Sequence, residues 1–301
     1  MKVFVTGATG LIGRPLCAAL AARGDRVVAL SRRPAPGGLG KGIEAVMGDP
    51  AVEGGWLEAL AACDACVHLA GEPVAEGRFT DEKKRRIRES RVRSTELVAG
   101  VLRERGPRVL VSGSAVGFYG TRGDEVLDEG AERGQGFLAD VSQAWEDAAW
   151  AARPRARVVA VRTGIVLSMA GGALPKLVLP FKLFAGGPLG RGDFWQPWIH
   201  LDDEVGLLLL ALDDPRAEGP LNAAAPEPAR NRDVARAIGK VLGRPSFVPA
   251  PEAAVRLALG EKADIVLASQ RVVPRRALEL GYRFLFPALD AALTDLLRKA
   301  A

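Results

Sequence analysis

The sequence has few of the residue types on which metal sites and disulfide frameworks depend. Its 301 residues include only three cysteines and two histidines, too few for a set of disulfides in a chain of this length. Cys63 and Cys66 are spaced as CxxC, but no second Cys or His pair lies nearby to complete a zinc site. We therefore predict packing roles for both cysteines and no bound metal.

Long hydrophobic runs are also lacking. The longest, from Val205 to Leu212, is far shorter than the roughly 20 apolar residues of a membrane helix, and the start MKVFVTG has no signal-peptide core. We expect no membrane partner and a place in the cytoplasm. Hydrophobic residues make up 48% and charged residues 26%, which is typical of a folded globular protein.

A strong excess of one charge is missing as well. The 41 basic and 36 acidic residues give a net charge of +5, which permits an anionic small ligand without requiring nucleic acid. The basic residues between Lys83 and Arg93 follow one another along a predicted helix, and most of them belong to a solvated face. We expect no nucleic-acid partner.

The first half of the chain alternates short apolar runs with helical patterns. This alternation predicts βαβ units and the parallel sheet of an α/β, Rossmann-type doubly wound fold. The predicted strands are Lys2–Thr6, Arg26–Leu30, Ile43–Met47, Ala65–Leu69, Arg108–Ser112 and Ala156–Arg162. The predicted helices among them are Leu11–Arg23, Leu57–Ala62, Asp81–Arg105 and Gln135–Ala152.

After about Gly164 the sequence becomes rich in glycine and proline, and no single regular element fits residues 171–200. Helical patterns return at Asp203–Leu212, Arg232–Leu242, Pro251–Leu259 and Leu289–Lys299. We predict a nucleotide-binding domain over residues 1–165 and a smaller substrate lobe over 166–301. The lobe would lie over the carboxyl edge of the sheet, where open α/β sheets bind ligands.

The strongest motif is VFVTGATGLIG, a strand that runs into a glycine turn and then a helix. Gly7 permits the tight turn, Gly10 lets the backbone approach a pyrophosphate, and Gly13 lets the helix pack on the strand. No GK[ST] follows, which disfavours a nucleoside triphosphate loop. We predict a dinucleotide site that also includes the turn residues Thr9, Leu11 and Ile12.

The end of the second strand selects between the two nicotinamide dinucleotides. An NAD site typically has a carboxylate here for the ribose 2′-hydroxyl, but this sequence has Ser31, Arg32 and Arg33. A hydroxyl and two guanidinium groups attract a 2′-phosphate, and Arg32 is the stronger candidate of the two arginines. NADP(H) is therefore favoured over NAD(H), with Ser31 and Arg32 as its contacts.

A second cofactor segment follows the fourth strand. Its small residues let the backbone pass beneath a cofactor, while His68, inside the strand, is better explained as a hydrogen-bonded core residue. Arg91 lies on the apolar stripe of the next helix, so its guanidinium needs an anionic partner. That partner is either a cofactor phosphate or Glu72. The predicted contacts in this segment are Leu69, Ala70, Gly71, Glu72 and Arg91.

The motifs VTGATGLIG, HLAGE, VSGSAVGFYG, VRTGIVL and WIHLDD occur in this order. With them the chain resembles the extended short-chain dehydrogenase/reductase superfamily, and more closely its atypical branch of epimerase-family proteins. WIHLDD and the segment around Gly281-Tyr282 are similar to that branch in particular. The resemblance implies further cofactor contacts at Ser112, Thr163, Gly164 and Val166, the last three on the nicotinamide side.

The same resemblance identifies a gap in the catalytic machinery. Superfamily members use a serine, a tyrosine and a lysine four residues after the tyrosine; Ser114 matches the serine. The other two positions fall on Leu138 and Ser142, counted back from Glu146, and no YxxxK occurs anywhere. Tyr119 and His200 are candidate substitutes for the missing proton donor, although packing is favoured for both.

The predicted function is an NADP(H)-dependent oxidoreductase or epimerase-like enzyme of the short-chain dehydrogenase/reductase type, acting on an unidentified small substrate. Two alternatives remain open. One is a non-catalytic NADP(H)-binding sensor or partner module, because the tyrosine and lysine are missing. The other is a nucleotide-sugar epimerase. Either a monomer or a homodimer is compatible with the sequence.

Overall fold

The computed structural model describes residues 1–34, 37, 39–40 and 42–298, and in its first half strands alternate with helices. Each helix carries the chain back across the sheet so that the next strand can run parallel to the last. The elements are β1 Lys2–Thr6, α1 Gly13–Ala22, β2 Arg26–Ser31, β3 Glu44–Met47, α2 Trp56–Ala61, β4 Ala65–His68, α3 Asp81–Glu104, β5 Val109–Ala115, a 3-10 turn Val116–Tyr119, β6 Val126–Leu127, α4 Phe137–Trp150 and β7 Arg157–Thr163.

The second half contains shorter strands and seven helices among the described residues. The predicted helices are present, but the end predicted at Lys299 lies outside the described residues. Three helices were not predicted, among them α5, which contains Pro180. The elements are β8 Ile165–Leu167, α5 Leu174–Lys182, β9 Trp195–Gln196, β10 Trp198–His200, α6 Leu201–Asp213, β11 Gly219–Ala223, β12 Ala229–Arg230, α7 Asn231–Leu242, α8 Glu252–Leu259, α9 Lys262–Val266, β13 Arg271–Val272, α10 Arg275–Glu279 and α11 Leu289–Arg298.

The main sheet has seven parallel strands in the order β11-β7-β5-β4-β1-β2-β3. The Rossmann-type α/β prediction is confirmed, but the count of six strands is wrong because β11 pairs with β7. Its sequence GPLNA lacks an alternating apolar run. Pro220, which has no N–H to donate, is tolerated because β11 lies at the sheet edge. Strand β11 and helix α6 follow residue 165 yet belong to the layers of this sheet.

Helices cover both faces of the sheet, and alternate residues of β1 enter different cores. Val3 and Val5 join the cluster built with α1 and α6, whereas Phe4 joins the cluster of α2, α3 and α4 and stacks on Trp56 at 6.1 Å. Burial on both faces explains why the strands are apolar throughout.

The smaller lobe has its own apolar cluster from α5, α7 and α11, including Val178, Ile238 and Leu293. Asp203, at the start of α6, holds the segment before α11: its carboxylate accepts hydrogen bonds from the amides of Leu285 (2.7 Å) and Phe286 (2.9 Å). The sequence segments that resemble the epimerase branch therefore meet in space. Among the helices that the structure describes, none has the length and hydropathy needed to cross a lipid bilayer.

The strand order places a crevice between β1 and β4. From β1 the chain proceeds through β2 to β3 on one side, and from β4 through β5 and β7 to β11 on the other. The chain therefore leaves β1 and β4 toward opposite sides of the sheet, and open α/β sheets bind ligands at the carboxyl edge of such a switch point. The predicted cofactor residues follow β1, β2, β4, β5 and β7, so the sheet brings them to one edge.

Candidate functional site

The glycine turn after β1 is packed against the β4 loop and against α1. Gly7 has φ +68°, and a Cβ there would lie 2.8 Å from the carbonyl carbon of Leu69. A Cβ on Gly13 would lie 2.2 Å from the oxygen of Gly7. The amide of Gly10 donates to that same oxygen at 2.9 Å. Side chains at Gly7 and Gly13 would therefore push the turn out of the crevice.

The amino end of α1 has no side-chain cap and no acidic residue in its first turn. The amides of Leu11, Ile12 and Gly13 have no hydrogen-bond partner among the described residues. Free amides and the positive end of the helix dipole form a ready site for a phosphate. Thr9 is exposed beside them, and its carbonyl accepts a hydrogen bond from Arg14 Nε at 2.9 Å.

The end of β2 presents a buried hydroxyl and exposed guanidinium groups. Ser31 is 7% exposed, and its Oγ accepts the amide of Arg33 at 3.0 Å. Arg32 is exposed, and no carboxylate of the described residues forms an ion pair with it. The hydroxyl is thus held in place while the guanidinium is available to a ligand.

Three cationic side chains surround the single carboxylate of Glu72. Lys83 Nζ, which is nearly buried, lies 2.6 Å from Glu72 Oε1, and Arg86 Nε lies 3.9 Å from it. The hydrogen bond from Lys83 lowers the pKa of the Glu72 carboxyl, and the charges of Lys83, Arg86 and Arg32 lower it further. Arg86 also pairs with the exposed Glu82 at 3.2 Å. Three cations therefore face two carboxylates, and the group keeps a net positive charge.

Arg91 is half-buried beneath the HLAGE loop and forms no ion pair with a carboxylate of the described residues. Its Nη1 donates to the backbone oxygens of Glu72 (2.9 Å) and Ile87 (3.1 Å), and its guanidinium lies 5.1 Å from the Trp145 ring centre. The structure contains no ion pair between Arg91 and the Glu72 carboxylate, the alternative predicted from the sequence, and Lys83 binds Oε1 of that carboxylate. Burial lowers the pKa of Arg91 to about 10, because loss of water around the guanidinium disfavours its charged form.

His68 is confirmed as a hydrogen-bonded core residue. Its Nδ1 lies 2.7 Å from Thr6 Oγ1 and its Nε2 lies 3.0 Å from Ser94 Oγ. Thr6 Oγ1 already accepts the amides of Leu69 and Ala70 at 3.1 Å, so its own hydrogen points to Nδ1. Burial lowers the pKa of His68 to about 4. The neutral ring therefore helps to hold the HLAGE loop against β1.

Ser114 belongs to a buried polar network at the end of β5. Its hydroxyl donates to Glu146 Oε1 at 2.6 Å, and Arg162 binds both oxygens of Glu146 at 2.8 Å. Arg162 also donates to the Tyr119 hydroxyl at 2.9 Å, which donates to Asn222 at 2.7 Å. Because its proton is committed to Glu146, Ser114 can offer a substrate an acceptor oxygen but no hydrogen.

The remaining predicted contacts lie at the ends of β5, β7 and β8. Ser112 is fully buried, with no surface open to a ligand, and its hydroxyl donates to the oxygen of Gly113 at 3.1 Å. A Cβ on Gly164 would lie 2.6 Å from the oxygen of Pro197, and Val166 is 8% exposed. Thr163 is half-buried, and its hydroxyl donates to Glu204 Oε1 at 2.8 Å.

Comparison with known proteins identifies the family of the chain. Residues 3–224 match the NAD dependent epimerase/dehydratase family, and residues 250–296 match a domain of unknown function, DUF1731. The chloroplastic SDR39U1 homologue of Arabidopsis thaliana is 39% identical over 99% of this chain and 87% of its own length. This chain belongs to the NAD dependent epimerase/dehydratase family.

Solved structures of family relatives share the whole fold. Human epimerase family protein SDR39U1, solved with NADPH, superposes with a TM-score of 0.89 at 35% identity over 99% of both chains. A nucleoside-diphosphate sugar epimerase from Corynebacterium glutamicum gives a TM-score of 0.80 at 36% identity over 99% of this chain and 58% of that one. The resemblance inferred from the motifs is confirmed.

At the positions predicted for the missing tyrosine and lysine, the structure has Leu138 and Ser142 packed near the 3-10 turn. A Cβ on Gly117 would lie 3.1 Å from Leu138 Cβ and 3.7 Å from Ser142 Oγ. Both α4 positions thus face the 3-10 turn after β5, one turn of helix apart. Ser142 is 3% exposed, and neither side chain can take the place of a tyrosine and a lysine.

Tyr119 and His200, the two candidate replacements for the missing proton donor, both lie in the interior of the protein. Tyr119 is fully buried, and burial raises the pKa of its hydroxyl to about 12. His200 is 2% exposed; its ring stacks on Phe286 at 3.9 Å, and Nδ1 accepts the amide of Asp202 at 3.1 Å, capping α6. Its Nε2 lies 3.4 Å from Asp295 of α11. Catalytic roles for both stay predictions, and the geometry favours packing.

The burial of two residues near the site, Glu204 and Lys83, could not be predicted from the sequence pattern. Glu204 follows two other acidic residues at the start of α6, where acidic side chains are common on solvent-facing first turns. Lys83 stands in a run of basic residues that reads as a solvated face. Only the packing of α6 on β7, and of α3 on the HLAGE loop, shows that both side chains are buried.

Proposed function

We propose that this protein binds NADP(H) across the β1–β4 crevice and acts as an oxidoreductase or epimerase-like enzyme on a small substrate. The free amino end of α1 beneath the glycine turn carries the proposal, because it supplies the amides that a pyrophosphate requires. The half-buried guanidinium of Arg91 forms no ion pair among the described residues, and a cofactor phosphate would supply an anionic partner. The NADPH bound to the human relative supports the same ligand.

The basic corner beside β2 supports NADP(H) over NAD(H). Ser31 and Arg32 stand where the adenosine ribose is expected, and the Glu72 group adds Lys83 and Arg86. The excess positive charge would attract a 2′-phosphate. We call the β1–β4 crevice the cleft, and the region of the β1 turn, Ser31, Arg32 and Glu72 its β1–β2 end.

The other half of the dinucleotide would lie over β4, β5 and β7. Neighbouring strands are about 4.8 Å apart, so the end of β7 lies roughly 14 Å across the sheet from the end of β1. Ser114, Tyr119, Arg162 and Thr163 form what we call the β5–β7 end. The nicotinamide supplies or accepts a hydride when bound, and these residues would hold the substrate and the ring in place.

The Arg32→Ala variant tests the cofactor assignment. We expect its NADPH dissociation constant to rise about tenfold, or about 1.4 kcal/mol, with little change for NADH, because only NADPH carries the 2′-phosphate. Calorimetric titration with both dinucleotides measures this, and Arg33→Ala is the matched control. Equal losses for NADPH and NADH in Arg32→Ala would remove Arg32 from the 2′-phosphate site.

A non-catalytic NADP(H)-binding module is the second candidate function. Two observations favour this candidate. Ser114 already donates its hydrogen to Glu146, and packing residues occupy the positions predicted for the tyrosine and the lysine. NADPH binding without oxidation by a broad panel of carbonyl compounds would support this reading. A nucleotide-sugar epimerase, the activity named for the Corynebacterium glutamicum relative, would instead convert UDP-sugars into a second sugar in the presence of NADP.

A further inference from the structure

Glu204 is a carboxyl group buried without a cation. It lies in the first turn of α6, and none of its surface is exposed. Oε1 accepts the Thr163 hydroxyl at 2.8 Å, whereas Oε2 has no hydrogen-bond partner in the part of the chain that the structure describes. Further along α6, Val205, Leu207 and Leu208 belong to the apolar cluster of this face.

The groups around Glu204 cannot neutralise a negative charge. Asp202 and Asp203 on the same helix are acidic, and Asp203 accepts the Tyr282 hydroxyl at 3.1 Å. His200 lies at the start of the helix, and burial lowers its pKa. No cation of the described residues forms an ion pair with Glu204. An unpaired carboxylate in apolar surroundings is strongly disfavoured, and burial raises the pKa of Glu204 to about 8.

Thr163 connects this buried acid to the cleft. It is the last residue of β7 and pairs in register with Ala115, the residue after Ser114. Its side chain is half-buried, between the interior occupied by Glu204 and the carboxyl edge of the sheet. A hydroxyl in this position can form one hydrogen bond with Glu204 in the interior and another with a ligand at the carboxyl edge of the sheet.

We propose that Glu204 is a positioning residue for the β5–β7 end of the cleft, where it sets the direction of the Thr163 hydroxyl. When the acid is protonated it can donate to Thr163 Oγ1, and the Thr163 hydrogen is free to bind an acceptor oxygen of the ligand, such as the nicotinamide carboxamide. When it is ionised, Thr163 must donate inward and offers the ligand only lone pairs. The proposal rests on NADP(H) binding in this cleft.

NADPH affinity as a function of pH tests the proposal. Calorimetric titrations between pH 7 and 9.5 avoid the second ionisation of the 2′-phosphate, near pH 6. We expect the affinity of the wild-type protein to fall above about pH 8, by up to tenfold per pH unit for one linked proton. Glu204→Gln should bind within about threefold of wild type at pH 7 and lose this pH step, because its amide donates to Thr163 at every pH.

Matched variants separate positioning from structural support. Thr163→Ser keeps the hydroxyl and should keep the pH step, Thr163→Val should bind more weakly at pH 7 and show no step, and the exposed Glu218→Gln should titrate like the wild-type protein. Parallel pH profiles in wild type and Glu204→Gln would overturn the role of Glu204 alone. No NADPH binding by the folded wild-type protein at any pH would overturn the proposed function, and this inference with it.

Discussion

The two ends of the cleft differ in how their polar groups are partnered. At the β1–β2 end the amides of Leu11, Ile12 and Gly13 have no hydrogen-bond partner among the described residues, and Arg32 forms no ion pair with them. At the β5–β7 end Ser114, Glu146, Arg162 and Tyr119 bind one another. Hydrogen-bond donors without a partner can bind an anion, whereas side chains that already bind one another form a rigid network. One end is therefore suited to hold a cofactor, and the other to maintain a shape.

The largest effect is expected at Gly13, because its close contact with the Gly7 oxygen supports both the fold and the proposed cofactor site. Gly13→Ala would place a Cβ against the oxygen of Gly7, so we expect a loss of more than about 4 kcal/mol in the free energy of unfolding and no NADPH binding. Denaturant unfolding and calorimetry measure both quantities. The control Gly100→Ala, on the open side of α3, should stabilise by about 0.5–1 kcal/mol. Normal binding by Gly13→Ala would show that the turn tolerates a side chain.

Glu146→Gln tests whether the β5–β7 end is structural. Removing one partner of a buried ion pair costs about 3–5 kcal/mol, and Arg162 would lose the carboxylate that it binds through two nitrogens. We expect that loss of stability with a less than threefold change in the NADPH dissociation constant. Glu252→Gln, in an exposed pair with Arg256, should change stability by less than about 0.5 kcal/mol. The comparison between the two ends fails if Glu146→Gln abolishes cofactor binding while remaining as stable as wild type.

The pH dependence of stability examines Glu204 without any ligand. Burial raises the pKa of its carboxyl from the ordinary 4.5 to about 8, so in this window the folded protein keeps a proton that the unfolded chain releases. Stability falls with rising pH, by at most about 1.4 kcal/mol per pH unit. Between pH 5.5 and 7.5 the wild-type protein should lose about 2–3 kcal/mol relative to Glu204→Gln. A constant difference between the two unfolding curves would show that Glu204 is ionised in the folded protein.

The smallest effect concerns the cation that lies between the two ends. Arg91→Lys keeps the charge but loses the planar group over Trp145 and the hydrogen bonds to two backbone oxygens. We expect NADPH to bind about tenfold more weakly, or about 1.4 kcal/mol. Arg93→Lys, exposed on the same helix, is the control for titration. An unchanged affinity in Arg91→Lys would leave Arg91 as a support for the HLAGE loop alone.

Predictions from sequence succeeded where the signal was local. The glycine turn occupies one short segment between a strand and a helix, so its spacing alone predicted its geometry. Helical periodicity in α3 also predicted that Arg91 faces inward. The same periodicity could not tell whether the carboxylate of Glu72 would bind Arg91 or Lys83, because that choice depends on the path of the loop between β4 and α3.

Features built from distant segments were missed. Strand β11 has a weak pattern, and it belongs to the sheet only because β7 offers an unpaired edge. The bond between Thr163 and Glu204 joins residues 41 positions apart, and that between Tyr119 and Asn222 joins residues 103 apart. No periodicity in the sequence relates such residues to one another.

The amino-acid sequence by itself determined the α/β class, the glycine turn and the absence of a tyrosine–lysine pair, because each depends on residue type and short spacing. The tertiary structure decided which buried charges are paired. Arg162 is paired with Glu146, whereas Glu204 and Arg91 form no ion pair among the described residues. Burial and partner distance set the free energy of a charge inside a protein, and both arise only when separate segments pack together.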